Sequence, residues 1–262
     1  MSVQTYLYSR ASNAILSDSE KTSIDTSIST LQSRLNSYYD SDVTTHFRFG
    51  SSTRGTILPR SMDAHSDIDY MIVFADEDSK PQTYVNRLKR FAEKYYASSD
   101  IAQSHPTVVL KLNHIKFDLV PAIKSYLEEY RIPAPTSSYQ DWMSTSPNDF
   151  NSTLTAANIR CGSCLKPAIR LLKYWNALAG YVFDSYSLEK WAAGRYFSYC
   201  STVRDYFFAL VEDISLEWNA AQWRKDKLER AKAIVKKTKE YEQSEMPATA
   251  EQEIKKLIPA SN

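Results

Sequence analysis

Apolar residues recur at helical spacing in two segments of the N-terminal half. In residues 19–40 they fall three or four positions apart, with serine and aspartate residues available as caps, which predicts a helix. These apolar residues are Ile24, Ile28, Leu31 and Leu35. Pro81 can open a second helix. The apolar side of that helix would be Tyr84, Val85, Leu88, Phe91, Ala92 and Tyr95.

Runs of β-branched and aromatic residues predict strands around these helices. The run 70–74 follows an acidic motif, and the segments 108–112 and 115–120 flank Asn113-His114 as a hairpin. An earlier strand is expected to end at Gly50. The N-terminal half is therefore predicted to contain a mixed sheet with helices.

The pattern becomes helical from Asp149 onward. Pro167 is expected to begin or kink a helix that runs through Trp175, and further helices are expected at about 187–199 and 203–223. Residues 224–240 alternate basic and acidic side chains, which favours a surface helix. We therefore predict an α+β protein, with a mixed-sheet lobe over residues 1–148 and a helical lobe over 149–262.

One predicted helix of this second lobe carries a basic stripe. Lys166, Arg170 and Lys173 fall at positions i, i+4 and i+7, so they share a helix face. A solvated helix face and a surface that neutralises phosphates both fit this spacing.

Composition limits the classes of function. The 262 residues carry a formal net charge of +1, which argues against a chain-wide basic surface for long nucleic acid. No apolar run approaches the roughly 18 residues of a membrane span, so we expect a cytoplasmic protein without membrane contact. Cys161 and Cys164 form a single Cys-x-x-Cys, which is weak support for a metal or redox site.

Acidic residues at the ends of two predicted strands suggest metal-dependent chemistry. Asp67 and Asp69 are two positions apart, so on a strand both side chains point to one face. Asp118 lies in another predicted strand and can stand beside them. Displacement at a nucleoside triphosphate uses divalent metals held by shared carboxylates, and Mg²⁺ prefers such oxygen ligands. These residues predict a site for Mg²⁺ or Mn²⁺.

The turn that precedes the acidic motif is suited to phosphate. Gly50 lets the backbone approach a triphosphate closely, and the Ser51 hydroxyl can donate a hydrogen bond to a phosphate oxygen. No Gly-Lys-Ser/Thr follows, so the turn is not a Walker A loop. Each motif alone is commonly a plain turn or a solvent-facing strand end. Their order and strand context together predict a nucleotidyl-transfer site.

Taken together, these motifs resemble the DNA polymerase β-like nucleotidyltransferase superfamily, and more narrowly the bacterial CD-NTases with a SMODS-type core. The similarity is carried by the turn 50–56, the run 66–73 and the run 117–122. Two helical motifs, 168–176 and 185–189, are also similar to that family.

The resemblance implies a role for each matching residue. Asp67, Asp69 and Asp118 would bind the metals, and Asp118 would help to deprotonate the attacking hydroxyl. Ser51, within the Gly50 turn, would hold the triphosphate. In the helical motifs, Lys173 would contact the triphosphate, Ser185 would lie near it and Tyr186 would stack on a base. From the residues alone, Ser185 could equally cap a helix, and Tyr186 could equally pack.

The resemblance also implies an activity. It is the joining of ribonucleoside triphosphates into a cyclic di- or oligonucleotide, with a separate effector that binds the product in antiphage signalling. The same core could instead modify a small molecule, a protein or an RNA end, because fold and metal site do not select the acceptor. An inactive nucleotide-binding module is a further alternative.

Overall fold

The structure is a computed structural model that describes residues 2–104, 106–124, 129–134 and 141–260. The chain divides into two compact units. The sheet unit consists of Ser17–Thr53 and His65–Asp149. The helical unit consists of Met1–Leu16, Arg54–Ala64 and Phe150–Asn262. The last junction lies one residue from the expected boundary at 148/149, while two earlier segments group with the later helices.

Helices make up most of the described structure. They are α1 (Val3–Asn13), α2 (Asp18–Tyr39), α3 (Ser51–Arg54), α4 (Pro81–Tyr95), α5 (Asp149–Arg160), α6 (Leu165–Leu178), α7 (Ser185–Ala193), α8 (Val203–Asp213), α9 (Gln222–Gln243) and α10 (Pro247–Lys255). The strands are β1 (Val43–Phe49), β2 (Asp67–Phe74), β3 (Asp100–Ser104), β4 (Thr107–Lys111), β5 (Lys116–Lys124), β6 (Tyr130–Pro133) and β7 (Trp142–Thr145).

The strands form one mixed sheet. Its main path is β1-β2-β5-β4-β3, and β6 and β7 extend it from β5. Strands β2 and β5 run parallel, whereas the other pairs, including the predicted β4–β5 hairpin, are antiparallel. The predicted α+β fold class is confirmed, with a mixed sheet in one unit and helices in the other.

Helix α2 begins with a reciprocal cap. The Ser17 hydroxyl accepts from the Glu20 backbone N–H, and the Glu20 carboxylate accepts from the Ser17 backbone N–H at 2.8 Å. The four apolar residues that predicted this helix are all buried. The helix predicted after Pro81 is also confirmed as α4, with five of its six expected apolar residues buried. These five are Tyr84, Val85, Leu88, Phe91 and Ala92.

The two faces of β2 differ. Ile68, Tyr70, Ile72 and Phe74 point to one side, where the Phe74 ring lies 5.3 Å from Tyr39 of α2 and 5.1 Å from Tyr84 of α4. Asp67 and Asp69 point to the opposite side, in line with buried Met71 and Val73. The strand is thus anchored along most of its length and carries carboxylates only at its beginning.

Two helices of the helical unit are shorter than their sequence pattern predicts. Helix α7 ends at Ala193, just before Gly194, instead of near residue 199. Helix α8 ends at Asp213 instead of near residue 223, because Ile214 adopts an extended backbone. Helix α9 covers the predicted segment 224–240, but it is more than a surface helix. One side of α9 is buried through Leu228, Ala231, Ile234 and Val235.

Candidate active site

The three predicted acidic residues meet at one edge of the sheet unit. Because β2 and β5 are parallel neighbours, Asp69 lies directly beside Asp118, and Asp67 lies beside Lys116. Residues two apart on a strand share a face, so all four side chains project to the same side. The structure therefore places Asp118 next to the Asp-x-Asp pair, as the sequence predicts.

A lysine lies among these carboxylates. Lys116 Nζ is 2.9 Å from Asp67 Oδ2 and 3.4 Å from Asp118 Oδ1. Each of the three side chains is between a fifth and a third exposed. We call Asp67, Asp69, Lys116 and Asp118 the acidic cluster. It has more negative than positive charge and is open to solvent in part.

The cluster changes the proton affinity of its members. Burial raises the pKa of Asp118, and the neighbouring Asp67 raises it further, while Lys116 partly opposes both. Burial acts to lower the pKa of Lys116, but the charges of Asp67 and Asp118 outweigh burial and raise it. Asp118 therefore has a stronger affinity for a proton than an ordinary aspartate.

Gly50 is required by the shape of the cluster. Its φ of +75° lies in the left-handed region that favours glycine. A Cβ atom at this position would lie 1.8 Å from Asp69 Oδ2, so the carboxylate rests directly against the glycine backbone. Only glycine provides both the backbone angle and the space for Asp69.

The hydroxyls that follow Gly50 have different partners. Ser52 donates to the Phe49 carbonyl at 3.0 Å, and Thr53 donates to the Gly50 carbonyl at 2.9 Å, so both hold the turn. Ser51 makes no side-chain hydrogen bond to any residue that the structure describes. Its hydroxyl is therefore available to an incoming acceptor such as a phosphate oxygen.

The acidic cluster suits a divalent cation in its donor chemistry. Within the described ranges, no three histidine, cysteine, aspartate or glutamate side chains are already arranged around one metal position. Asp118 Oδ1 is nevertheless buried and accepts no hydrogen bond, since its contact with Lys116 is a longer ion pair. Carboxylate oxygens are the ligands that Mg²⁺ prefers. The residues fit such an ion once Lys116 moves aside.

The helical unit contains a second charged group, which we call the buried ion network: Arg54, Lys173 and Glu189. Glu189 Oε2 accepts from Arg54 Nε at 2.7 Å, and Glu189 Oε1 accepts from Lys173 Nζ at 2.7 Å. Lys173 also donates to the Thr56 carbonyl at 2.9 Å. All three side chains are at most 6% exposed. Burial acts to raise the pKa of Glu189, but Lys173 and Arg54 outweigh it and hold the pKa below its usual range.

This network changes the interpretation of the basic stripe on α6. Lys173 is buried, and its ammonium already has two oxygen partners. Arg170 is buried as well and donates to the Gly55 carbonyl at 3.1 Å, and burial lowers its pKa to about 10. The alternative of a solvated helix face is therefore wrong for these two residues. The assignment of Lys173 to the triphosphate stays a prediction.

Ser185 and Tyr186 lie at the beginning of α7. Asp184 caps this helix by accepting from the Ser187 backbone N–H at 2.7 Å, so the cap is not Ser185. Tyr186 is 48% exposed, and Arg54 of the buried ion network lies 5.3 Å from its ring centroid. The Phe150 ring also packs edge-to-face with Tyr186, at 5.7 Å between ring centroids, and about half of Tyr186 remains exposed. This arrangement is compatible with the predicted stacking on a base.

The family comparison decides the identity. The sequence profile of the Second Messenger Oligonucleotide or Dinucleotide Synthetase domain, SMODS, matches residues 1–158, which is more than half of the chain. The chain belongs to the SMODS family. The predicted relationship to bacterial CD-NTases is thereby confirmed. No curated protein is significantly similar in sequence.

Solved SMODS-related structures share the fold over almost the whole chain. CdnG of Bradyrhizobium diazoefficiens in complex with GTP aligns with a TM-score of 0.71 at 10% identity, over 96% of this chain and 97% of its own. CdnC of E. coli MS115-1 with ATP aligns with a TM-score of 0.69 at 15% identity, over 98% of each chain. The Vibrio cholerae cyclic AMP-GMP synthase DncV aligns with a TM-score of 0.66 at 13% identity, over 98% and 80%. At these identities the similarity establishes the fold.

Sequence reasoning missed three charged residues of this SMODS protein. Lys116 stands two positions before Asp118, a spacing that places both on one strand face, so a signal was present. Arg54 and Glu189 lie inside recognised motifs, but their pairing joins positions 135 residues apart. No local pattern predicts such a contact.

Along the part of the chain that is described, no helix is long and apolar enough to cross a membrane.

Proposed function

We propose that the protein is a metal-dependent nucleotidyltransferase that joins ribonucleoside triphosphates into a cyclic di- or oligonucleotide and releases pyrophosphate. The observation that carries the proposal is the placement of Asp69 beside Asp118 on parallel strands, with Gly50 against the Asp69 carboxylate. Membership of the SMODS family supports the cyclic product.

The acidic cluster would hold Mg²⁺ or Mn²⁺ through Asp67, Asp69 and Asp118. A divalent ion bound there supplies charge neutralisation at the transferring phosphate and activation of the attacking hydroxyl. Asp118 is also proposed to accept the proton of that ribose hydroxyl as a general base. The remaining catalysis is positioning of the reactants, as is general for phosphoryl transfer.

The turn that contains Gly50 and Ser51 would bind the triphosphate. Gly50 lets phosphate oxygens come close to backbone N–H groups, and Ser51 donates its free hydroxyl. In the helical unit, Lys173, Ser185 and Tyr186 are proposed substrate-binding residues. The half-exposed ring of Tyr186 supports base stacking. The ion pair of Lys173 with Glu189 would have to share that lysine with a phosphate.

We place the activity in bacterial antiphage signalling in the cytoplasm, with a separate effector that binds the cyclic product. This context follows from the family alone. CdnC, one of the proteins with the same fold, has also been solved in a complex with HORMA, a partner of a different kind from the proposed effector.

The test is a product assay. The purified protein is incubated with four radiolabelled ribonucleoside triphosphates and Mg²⁺ or Mn²⁺, and the mixture is treated with phosphatase and separated by chromatography. We expect a small phosphatase-resistant product, and single-nucleotide omissions will identify its bases. Asp67→Ala and Asp69→Ala should each lower its yield at least about 10³-fold, because both remove groups that stabilise the transition state.

Asp100→Ala is the matched control. Asp100 is an exposed aspartate of the same sheet that pairs with Lys111 at 2.6 Å, so its loss should leave the yield unchanged. Full activity of Asp69→Ala would contradict the metal assignment. Transfer of the label to an added small molecule, protein or RNA end without a cyclic product would instead identify a transferase of another kind.

A further inference from the structure

The Lys116 side chain contacts two of the carboxylates that are proposed to bind the metal. Its ammonium contacts one oxygen of Asp67 and one of Asp118, two of the three carboxylates assigned to the metal. The position follows from the sheet, because Lys116 is the register partner of Asp67 and shares a strand face with Asp118. The lysine is therefore built into the site by the backbone.

A lysine and a divalent ion compete for the same oxygens. Two carboxylates on adjacent strands repel one another, and a positive charge between them relieves the repulsion. The ammonium supplies that charge when no metal is bound. A metal that coordinates Asp67 and Asp118 must displace the ammonium, since two cations cannot share these oxygens without repelling each other.

The side chain of Lys116 can leave without a change in the backbone. It is a flexible four-carbon chain with a compact charge, and it is about one fifth exposed. A triphosphate that arrives with the metal offers new oxygens to the displaced ammonium. A metal ion without nucleotide brings no phosphate oxygens. It would have to displace the Lys116 ammonium without giving it a new partner.

We propose that Lys116 is an internal counter-cation that holds Asp67 and Asp118 in the metal-free protein and opposes the binding of divalent ions in the absence of nucleotide. The metal then binds well only together with the triphosphate. This inference rests on the proposed function, because it takes Asp67 and Asp118 as metal ligands.

The experiment measures Mn²⁺ binding to the nucleotide-free protein by the electron paramagnetic resonance signal of free Mn²⁺. Lys116→Met and Lys116→Gln should bind Mn²⁺ at least about tenfold more tightly than the parent, the scale on which neighbouring groups change metal affinity. Lys116→Arg keeps the positive charge and should bind no more tightly than the parent. The two neutral variants differ in polarity, so a folding defect in one leaves the other as a test.

Lys111→Met is the matched control. Lys111 is the cross-strand partner of Lys116 and forms its ion pair with exposed Asp100, away from the three carboxylates. Its Mn²⁺ affinity should stay within about twofold of the parent's, as expected for an exposed pair. Thermal unfolding with and without Mn²⁺ gives a second measure, since tighter binding raises the midpoint further.

The outcomes separate the two proposals. If Mn²⁺ binding is lost in Asp69→Ala and tightened in both neutral Lys116 variants, the inference is supported. If binding is lost in Asp69→Ala but neither neutral variant binds more tightly, Lys116 is only a structural ion pair and the inference is wrong. If the parent and every Lys116 variant bind no Mn²⁺, the metal assignment and the inference both fail.

Discussion

The acidic cluster of the sheet unit and the buried ion network of the helical unit are opposite in charge balance and in exposure. The acidic cluster combines three carboxylates with one ammonium, which contacts two of them, and it is partly open to solvent. The buried ion network surrounds the single carboxylate of Glu189 with two cations and is almost completely buried.

The difference separates a group that can receive a further cation from a group whose charges are already paired. In the acidic cluster the charge is incompletely balanced, and Asp118 has an oxygen without a hydrogen bond, so a cation can be received. In the buried ion network, Glu189 has a partner for each oxygen and Lys173 has a backbone carbonyl in addition. Removing one partner from a network of this second kind is expected to destabilise the fold, because it leaves buried charge unpaired.

The largest effect that would test this comparison is the loss of Glu189. Glu189→Gln should lower the free energy of unfolding by about 3–5 kcal/mol, because it leaves two buried cations without their counter-ion. Urea unfolding measures the change. Glu212→Gln removes a half-exposed partner of Lys239 and should cost less than about 1 kcal/mol. Equal losses in the two variants would show that burial does not distinguish these pairs.

The two glycines that flank α3 provide a second comparison. Gly50 and Gly55 have similar φ values of +75° and +73°, but a Cβ at Gly55 meets no atom within 4 Å. Gly50→Ala should lower kcat about 10²-fold, because it must displace Asp69 from its position. Gly55→Ala should lower stability by only about 1–2 kcal/mol through backbone strain and leave kcat nearly unchanged.

Steady-state kinetics and urea unfolding on both alanine variants measure these effects. If Gly50→Ala and Gly55→Ala lost activity equally, backbone strain alone would account for the need for glycine. The close approach of Asp69 to Gly50 would then have no functional meaning.

The smallest expected effect is a dependence on pH. Because the folded protein holds the pKa of Glu189 below its usual 4.5, the stability that this carboxylate contributes is complete above that value. The contribution is lost as the pH falls through the lower pKa of the folded state. The difference in unfolding free energy between the parent and Glu189→Gln should therefore shrink from pH 6 toward pH 3. A constant difference over this range would indicate that the effect of Glu189→Gln does not arise from charge.

Local sequence determined much of the sheet unit. The spacing of Asp67 and Asp69 sufficed to put both on one strand face, because the side-chain period of a strand is two. The β-branched residues around Asp118 predicted a strand, and Gly50 predicted a turn. Apolar spacing likewise predicted α2 and α4, since an amphipathic helix repeats every 3.6 residues. Each of these inferences depends only on near neighbours.

Only the tertiary structure decided the features that depend on contacts between residues far apart in the sequence. Helical spacing placed Lys173 on one face of α6, but its ammonium donates to the carbonyl of Thr56, a residue 117 positions earlier, which no local pattern predicts. The early end of α8 was likewise absent from the apolar pattern of residues 203–223. The parallel register that sets Lys116 beside Asp67 depends on which strands pair. Sequence periodicity defines the faces of helices and strands, whereas the partners of those faces are selected by the packing of the whole chain.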